Sequence, residues 1–345
     1  VLSTALDPQT TAYDIQQACG TGLEAAILVA NKIAVGQIES GIAGGVDTTS
    51  DAPIGLSDGI RSLLLEVNRG KTVGDKLKTL AKLRPGHIGL EVPRNGEPRT
   101  GLAMGDHAAI TAAEWAIKRE DQDALAVASH HKLAAAYERG FFNDLMTPYL
   151  GLKRDQNLRP DSNIEKLATL KPCFGDRETG TMTAANSTPL TDGAAACLLA
   201  SDEWAARHGH EVLCHLRDAH VSAVDFVHGE GLLMAPTVAV PEMLARNGLT
   251  LQDFDFYEIH EAFAAQVLCT LRAWENEEYC RNRLGLDGPM GRIDPAKINP
   301  NGSSLAAGHP FAATGARLVA TAATELKQRG GGRCLGSIGT AGGMG

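Results

Sequence analysis

No stretch of the 345-residue chain approaches the roughly 20 consecutive apolar residues that span a bilayer, so no transmembrane helix is expected. A basic excess is missing too. The 32 Lys and Arg against 41 Asp and Glu leave a formal charge of −9, which excludes the basic face of a general nucleic-acid binder. Cysteine is sparse. Cys19, Cys173, Cys197, Cys214, Cys269, Cys280 and Cys334 are odd in number, scattered, and never spaced as CxxC. Neither a disulfide framework nor a zinc site is expected, and a reducing compartment is implied. The start, VLSTALDPQTTAYDI, lacks the basic and apolar regions of a signal peptide. A cytoplasmic location is therefore expected, with a mitochondrial one open if the N-terminus is incomplete. What remains is the composition of a globular enzyme, 43% hydrophobic and 21% charged, with a length that favours two domains.

Residues 12–53 form the first unit. TAYDIQQA reads as a short strand or its approach. CGTGLEAAILVANKIAVGQ reads as a helix apolar around most of its circumference and hence buried, and SGIAGGVDTTS as a strand closed by glycines. Strand, sharp turn, helix and strand make a βαβ element. Residues 296–345 repeat the plan. AKINPNGSSLAAGHPF is a small-residue loop, ATGARLVATAATELKQRG an apolar-striped helix, and CLGSIGTAGGMG a strand running into glycines. This duplication suggests two similar α/β halves facing each other. Residues 55–165 look like an insertion. They hold the basic segment Lys71–Arg94 and two helices in MGDHAAITAAEWAIKREDQDALAVASHHKLAAAYERGFF, the second opening on acids that suit a helix N-terminus. TMTAANSTPLTDGAAACLLA returns to strand-like patterns. The domains are therefore placed at residues 1–200 and 201–345.

Cys19 lies where a strand is expected to meet a helix, before Gly20, Thr21 and Gly22. The helix dipole and free backbone N–H groups there lower a thiol's pKa and favour the thiolate; a plain buried core cysteine is the competing reading. His309 sits in a glycine-rich loop and precedes Pro310, which restricts its backbone. That setting presents a side chain rather than burying it. In the duplicated plan its turn corresponds to that of Cys19, so two facing halves would pair a thiol with an imidazole, as a cysteine nucleophile requires. His260 and Glu261 fall where an alternating strand enters a helix, in FYEIHEAFAAQ. The zinc pattern HExxH fails because residue 264 is Ala, and no metal is expected.

CGTGLEAA, HEAF, NPNGSSLAAGHPFAATGAR and the terminal AGGMG, with GTMTAANSTPLTDGAAA and REDQDALAVASHHKLAAA between them, resemble the thiolase superfamily from about residue 12 to the end. HEAF and the long basic insertion look most like the long-chain 3-ketoacyl-CoA thiolases, including the thiolase subunit of trifunctional β-oxidation complexes. The resemblance implies two βαβαβαββ halves packed as a five-layer α-β-α-β-α sandwich with an inserted loop domain. It also implies thiolytic cleavage of a 3-ketoacyl-CoA by CoA, or the reverse condensation, through an acyl-Cys19 intermediate. His309 would activate Cys19 and help hold the thioester enolate oxygen, and His260 would orient a water or oxygen at that same oxyanion site. The backbone N–H groups of Cys19 and Ala341 would form a second oxyanion hole. CoA would lie over the insertion and near Met234, Ala235 and Pro236, while Gly342 and Gly343 would let the backbone approach the substrate. No cofactor beyond the substrates CoA and acyl-CoA is implied. The implied partners are a second copy, as a homodimer or dimer of dimers, and a hydratase/dehydrogenase subunit; membrane-surface contact is left open.

Two departures stand out. The family's last motif normally begins with a second cysteine that moves the proton at C2 of the acetyl unit, and Gly339 stands in its place. Cys334, five residues upstream on a strand rising about 3.3 Å per residue, would be roughly 16 Å away. The family pattern also implies about two strands before the Cys19 unit and one after the terminal glycines. Two rival readings follow. One is a thiolase-fold acyl transferase or thioesterase-like relative with impaired carbon–carbon chemistry. The other is a non-catalytic scaffold subunit that binds CoA thioesters. For the basic segment, the readings are a solvated cover, a CoA-phosphate site, or a dock for a membrane or partner subunit.

Overall fold

In the computed structural model, which describes residues 3–93 and 96–345, the expected elements appear in order. The good helix formers after Cys19 make α1 (Thr21–Ala34), and β1 (Ser40–Asp47) follows it. The next segment contains β2 (Gly55–Leu56), α2 (Asp58–Arg69), α3 (Val73–Leu80) and β3 (Leu90–Glu91). After α4 (Met104–Glu114) come α5 (Arg119–Glu138), α6 (Ile164–Ala168), β4 (Gly193–Ala200) and α7 (Asp202–His208). The remaining elements are α8 (Pro236–Asn247), β5 (Phe256–Ile259), α9 (Ala264–Glu275), α10 (Glu277–Asn282), α11 (Ser304–Ala307), α12 (Ala312–Arg329) and β6 (Cys334–Ser337).

Two local expectations are corrected. TAYDIQQA is not a strand. Residues 11–17 join no ladder, and Gln17 is tied instead by its N–H to Thr21 Oγ1 at 2.9 Å. A strand exists only through a partner backbone, and among the described residues none runs beside this one. Helix α1 is only half buried, with Thr21, Gly22 and Ala26 inside, because neighbours cover one face of it alone.

The strands pair two by two. β1 runs antiparallel to β4, from Ser40 opposite Ala200 to Asp47 opposite Gly193. β2 and β3 form a short antiparallel pair. β5 and β6 are parallel, Phe256 beside Cys334 and Ile259 beside Ser337, joined by the helical crossover that parallel pairing demands. The described residues thus carry fewer paired strands than two complete βαβαβαββ halves in five layers would.

Side chains of β5 are buried throughout, as both faces of a parallel strand usually are. Tyr257 and Ile259 pack with Leu335, Val267, Trp274 and Leu244 in one core cluster. A second cluster joins Ala108 and Ala112 of α4 to Ala265, Cys269 and Ala273 of α9. Ala126 of α5 packs in a third, with Ala264 and Leu305. Residues 104–138 are therefore part of the body, although they fall in the stretch that reads as an insertion. Helices α2 and α3 are different, with only Leu63 and Thr79 buried. A reciprocal capping box starts α3, each of Thr72 and Asp75 accepting the other's backbone N–H at 3.1 Å. Within the basic segment Lys82 pairs with Glu66 at 2.5 Å, and Arg94 lies outside the described residues.

Glycine decides how closely the two duplicated helices approach. A Cβ at Gly22 of α1 would sit 2.5 Å from the Ala312 carbonyl oxygen, and one at Gly315 of α12 would collide with the Leu23 backbone nitrogen. Without side chains at these two positions the first turns of α1 and α12 abut. The segments leading into those turns, which carry Cys19 and His309, are brought together by that contact.

Candidate active site

Cys19 lies in a short 3₁₀ turn, Ala18–Gly20, that feeds α1. Ala18 has φ of +46°, a left-handed conformation costly for a residue with a Cβ and typical of functional sites. It throws Cys19 onto the α1–α12 junction, 6% exposed. His309 arrives from the other side, its N–H bonded to the Pro189 carbonyl at 3.0 Å. Its Nε2 lies 3.0 Å from Cys19 Sγ, and its Nδ1 lies 2.6 Å from Thr314 Oγ1 on the first turn of α12. The thiol–imidazole pair expected from the duplication is formed. One part of that expectation is corrected: His309 is 2% exposed, because Phe311, His260 and the Cys19 turn close over the loop.

The expected thiolate is also corrected. Burial pushes the Cys19 thiol up to about 12, against the lowering effect of hydrogen bonds from the backbone N–H groups of Ala341 and of Cys19 itself. Burial, with the Arg317 charge adding to it, takes His309 down to about 3. Desolvation penalises both charged forms and outweighs the helix-terminus effect. The resting pair is thus neutral. For the thiol to give its proton to Nε2, the ring proton must sit on Nδ1, facing Thr314. Protonation of His309 would remove the base only at strongly acid pH, and Cys19 would ionise only at strongly alkaline pH. The single-turnover acylation rate is therefore expected to stay level from about pH 5 to 9. Stopped-flow acylation that titrates near pH 6–7 would contradict a neutral pair.

His260 ends β5 and enters the same space. Its N–H bonds the Ser337 carbonyl at 2.8 Å, its Nδ1 lies 2.8 Å from Ser304 Oγ, and its ring centroid is 4.3 Å from that of His309. Glu261, left without a role by the failed zinc pattern, clamps the facing loop. It accepts from Ser129 Oγ and Asn299 Nδ2 at 2.7 Å each and from the Leu305 N–H at 3.2 Å. Among the described residues no group of three His, Cys, Asp or Glu is placed to hold a metal ion.

The third wall is the terminal turn Ala341–Gly343, where Gly342 and Gly343 have φ of +80° and +73°, available to glycine at little cost. The Ala341 N–H acts to lower the Cys19 thiol pKa, and the next N–H, of Gly342, donates to Glu97 Oε1 at 2.9 Å. Gly339 lies outside the left-handed region, yet a Cβ there would meet the Leu233 carbonyl oxygen at 2.9 Å. Cys334 is on β6 beside Phe256, its thiol raised by burial. Met234, Ala235 and Pro236 are buried next to this turn rather than forming an open surface. Met234 Sδ accepts from Gln266 Nε2 at 3.2 Å, and Pro236 and Ala235 abut Gly345. Glu97, Ser304, Thr314 and Arg317 escaped the sequence reading, because single polar residues in loops or helices carry no periodic signal.

Comparison with known proteins finds relatives along the whole chain. Residues 1–203 match the family described as Thiolase, N-terminal domain, and residues 210–345 match Thiolase, C-terminal domain. A 3-ketoacyl-CoA thiolase of Pectobacterium atrosepticum is 44% identical over 351 aligned positions, covering 100% of this chain and 80% of the relative. One from Yersinia enterocolitica is 41% identical with the same coverage. Among solved structures, human mitochondrial 3-ketoacyl-CoA thiolase in complex with CoA superposes with a TM-score of 0.78 at 28% identity, over 99% of this chain and 78% of that one.

Proposed function

The chain belongs to the thiolase family and has the thiolase fold, and from that footing we infer that it cleaves 3-ketoacyl-CoA with CoA, giving acetyl-CoA and a shortened acyl-CoA. Relatives named 3-ketoacyl-CoA thiolase support this reading, and it fits the degradation of fatty acyl chains. The observation that carries it is the 3.0 Å contact between Cys19 Sγ and His309 Nε2 at the junction of two helix starts. Neither rival, an acyl transferase without carbon–carbon chemistry or a non-catalytic scaffold, draws support from these relatives.

In the first half-reaction the Cys19 proton passes to His309 Nε2 as the sulfur attacks the C3 carbonyl. The oxygen that becomes negative needs fixed donors, and the backbone N–H groups of Cys19 and Ala341, which act to favour a charged sulfur, are the donors this reading assigns to it. The C2–C3 bond then breaks. Its electron pair goes to the acetyl-CoA enolate, whose oxygen is read as lying toward His309 and His260, and C2 must gain a proton. In the second half-reaction the thiol of CoA attacks the acyl-Cys19 thioester, and Cys19 regains its proton. These steps consume only acyl-CoA and CoA. A homodimer is part of the same reading, supported by the apolar open face of the β1–β4 pair, where Ile42, Val46 and Leu198 are 57%, 66% and 53% exposed.

Mass spectrometry tests the intermediate. Incubation with an acyl-CoA is expected to add one acyl group to the peptide holding Cys19 and to none of the other six cysteine sites. Cys19→Ala is expected to carry no adduct. An adduct on another cysteine, or none on the unaltered chain, would remove the covalent step.

A further inference from the structure

His260 holds a contradiction on its two ring nitrogens. Nδ1 has a partner, Ser304 Oγ at 2.8 Å, whereas Nε2 is buried with none. The ring is 5% exposed, so an idle polar atom there is costly unless a ligand uses it. Which nitrogen carries the proton follows from the groups behind Ser304. Arg317, on α12, donates from Nη2 to Ser304 Oγ at 2.7 Å. A guanidinium only donates, so it occupies one lone pair of the hydroxyl and forces the hydroxyl proton elsewhere. Ser304 is fully buried, and the other atom hydrogen-bonded to its hydroxyl is His260 Nδ1.

Were Nδ1 protonated, it too would donate to Ser304, and the serine proton would be buried without an acceptor. We infer that Ser304, held by Arg317, is a positioning residue that locks His260 in the Nε2–H tautomer, so that Nε2 donates to the thioester oxygen of the acetyl unit rather than acting as a base. This rests on the thiolase reading and deepens it. The neighbouring imidazole, His309, must be set the opposite way to act as the base for Cys19, with its proton on Nδ1 toward Thr314 and the Nε2 lone pair toward the thiol. Adjacent rings 4.3 Å apart are thereby made into one base and one donor. Burial, the His309 ring and the Arg317 charge all hold His260 well below the usual histidine range, which keeps it a neutral donor.

The test is ¹⁵N NMR of the whole chain labelled at histidine, with the resonances of His260 among the 11 histidines identified by their loss in His260→Asn. The expected spectrum shows a protonated Nε2 and a bare Nδ1 throughout pH 6–9. Ser304→Ala should turn this into a mixture of tautomers and lower kcat for thiolysis by up to about 10²-fold, within the range seen for a lost oxyanion donor, with KM changed far less. Ser304→Thr, which keeps the hydroxyl, should restore the single tautomer. A proton on Nδ1 in the unaltered chain overturns the inference even if Ser304→Ala fails to fold, and so does an unchanged tautomer in folded Ser304→Ala. Because the spectrum is read without substrate, a chain that forms no acyl-Cys19 would refute the thiolase reading while leaving the tautomer measurable.

Discussion

Gly339→Cys is expected to raise the thiolysis of acetoacetyl-CoA or a longer 3-ketoacyl-CoA roughly 10²–10⁴-fold, the contribution of a positioned acid or base. The reason is a missing proton. When C2 leaves C3, the carbanion must be protonated, and glycine at 339 has nothing to give. Acyl exchange from acyl-CoA needs only Cys19, His309 and the oxyanion donors, so it should be brisk before the substitution and little changed after it. The structure adds a condition. Gly339 lies outside the left-handed φ region, but the new Cβ would come within 2.9 Å of the Leu233 carbonyl oxygen. Backbone must yield by a few tenths of an ångström at a buried residue. Gly339→Ala carries that same Cβ without a thiol and isolates the cost. It should cleave no faster than the unaltered chain, and the ratio of the Cys to the Ala variant measures proton transfer alone. Equal rates in the two variants, or efficient thiolysis by the unaltered chain, would show that another group moves the C2 proton, with a water held by His260 the first candidate.

Replacing His309 is expected to slow Cys19 acylation by roughly 10²–10⁴-fold. The effect should appear in a pre-steady-state acyl burst as well as in turnover, because the proton leaves sulfur in that step. A glycine-rich loop suggests a side chain that can be removed harmlessly, and its 2% exposure says otherwise. His309→Ala would empty the space between Phe311 and His260 and leave Thr314 without its partner, so part of its effect would be loss of packing. His309→Gln keeps most of the volume and a polar end but cannot act as a base at neutral pH. Both variants should acylate slowly, and the glutamine form should hold a urea midpoint near that of the unaltered chain. Normal acylation in His309→Gln would reassign the residue to structure.

The elements that could be read in advance are those encoded locally. α1 and α12 show as runs of Ala and Leu, α5 opens with Glu120 and Asp121 in its first turn, and β5 appears as an alternating strand entering a helix. Cys19 and His309 were legible because each stands beside a small-residue turn just ahead of such a helix. TAYDIQQA departs from its strand-like composition for a non-local reason. Its residues suit a strand, but pairing depends on what runs alongside. Glu97 was illegible on similar grounds, since its partner Gly342 lies 245 residues away.

By itself, the sequence determined the order of elements, the family, the pair of helix starts bearing a thiol and an imidazole, and the glycine at position 339. All of these depend on which residues follow one another along the chain. Tertiary structure decided the electrostatics. Packing α1 against α12 through Gly22 and Gly315 removes water from Cys19 and His309, and desolvation then reverses the thiolate that a helix start favours. The same packing carries Arg317 to Ser304, and Ser304 to His260. Burial and the placement of donors belong to the folded arrangement, so the charge and proton position on each group depend on it rather than on local sequence.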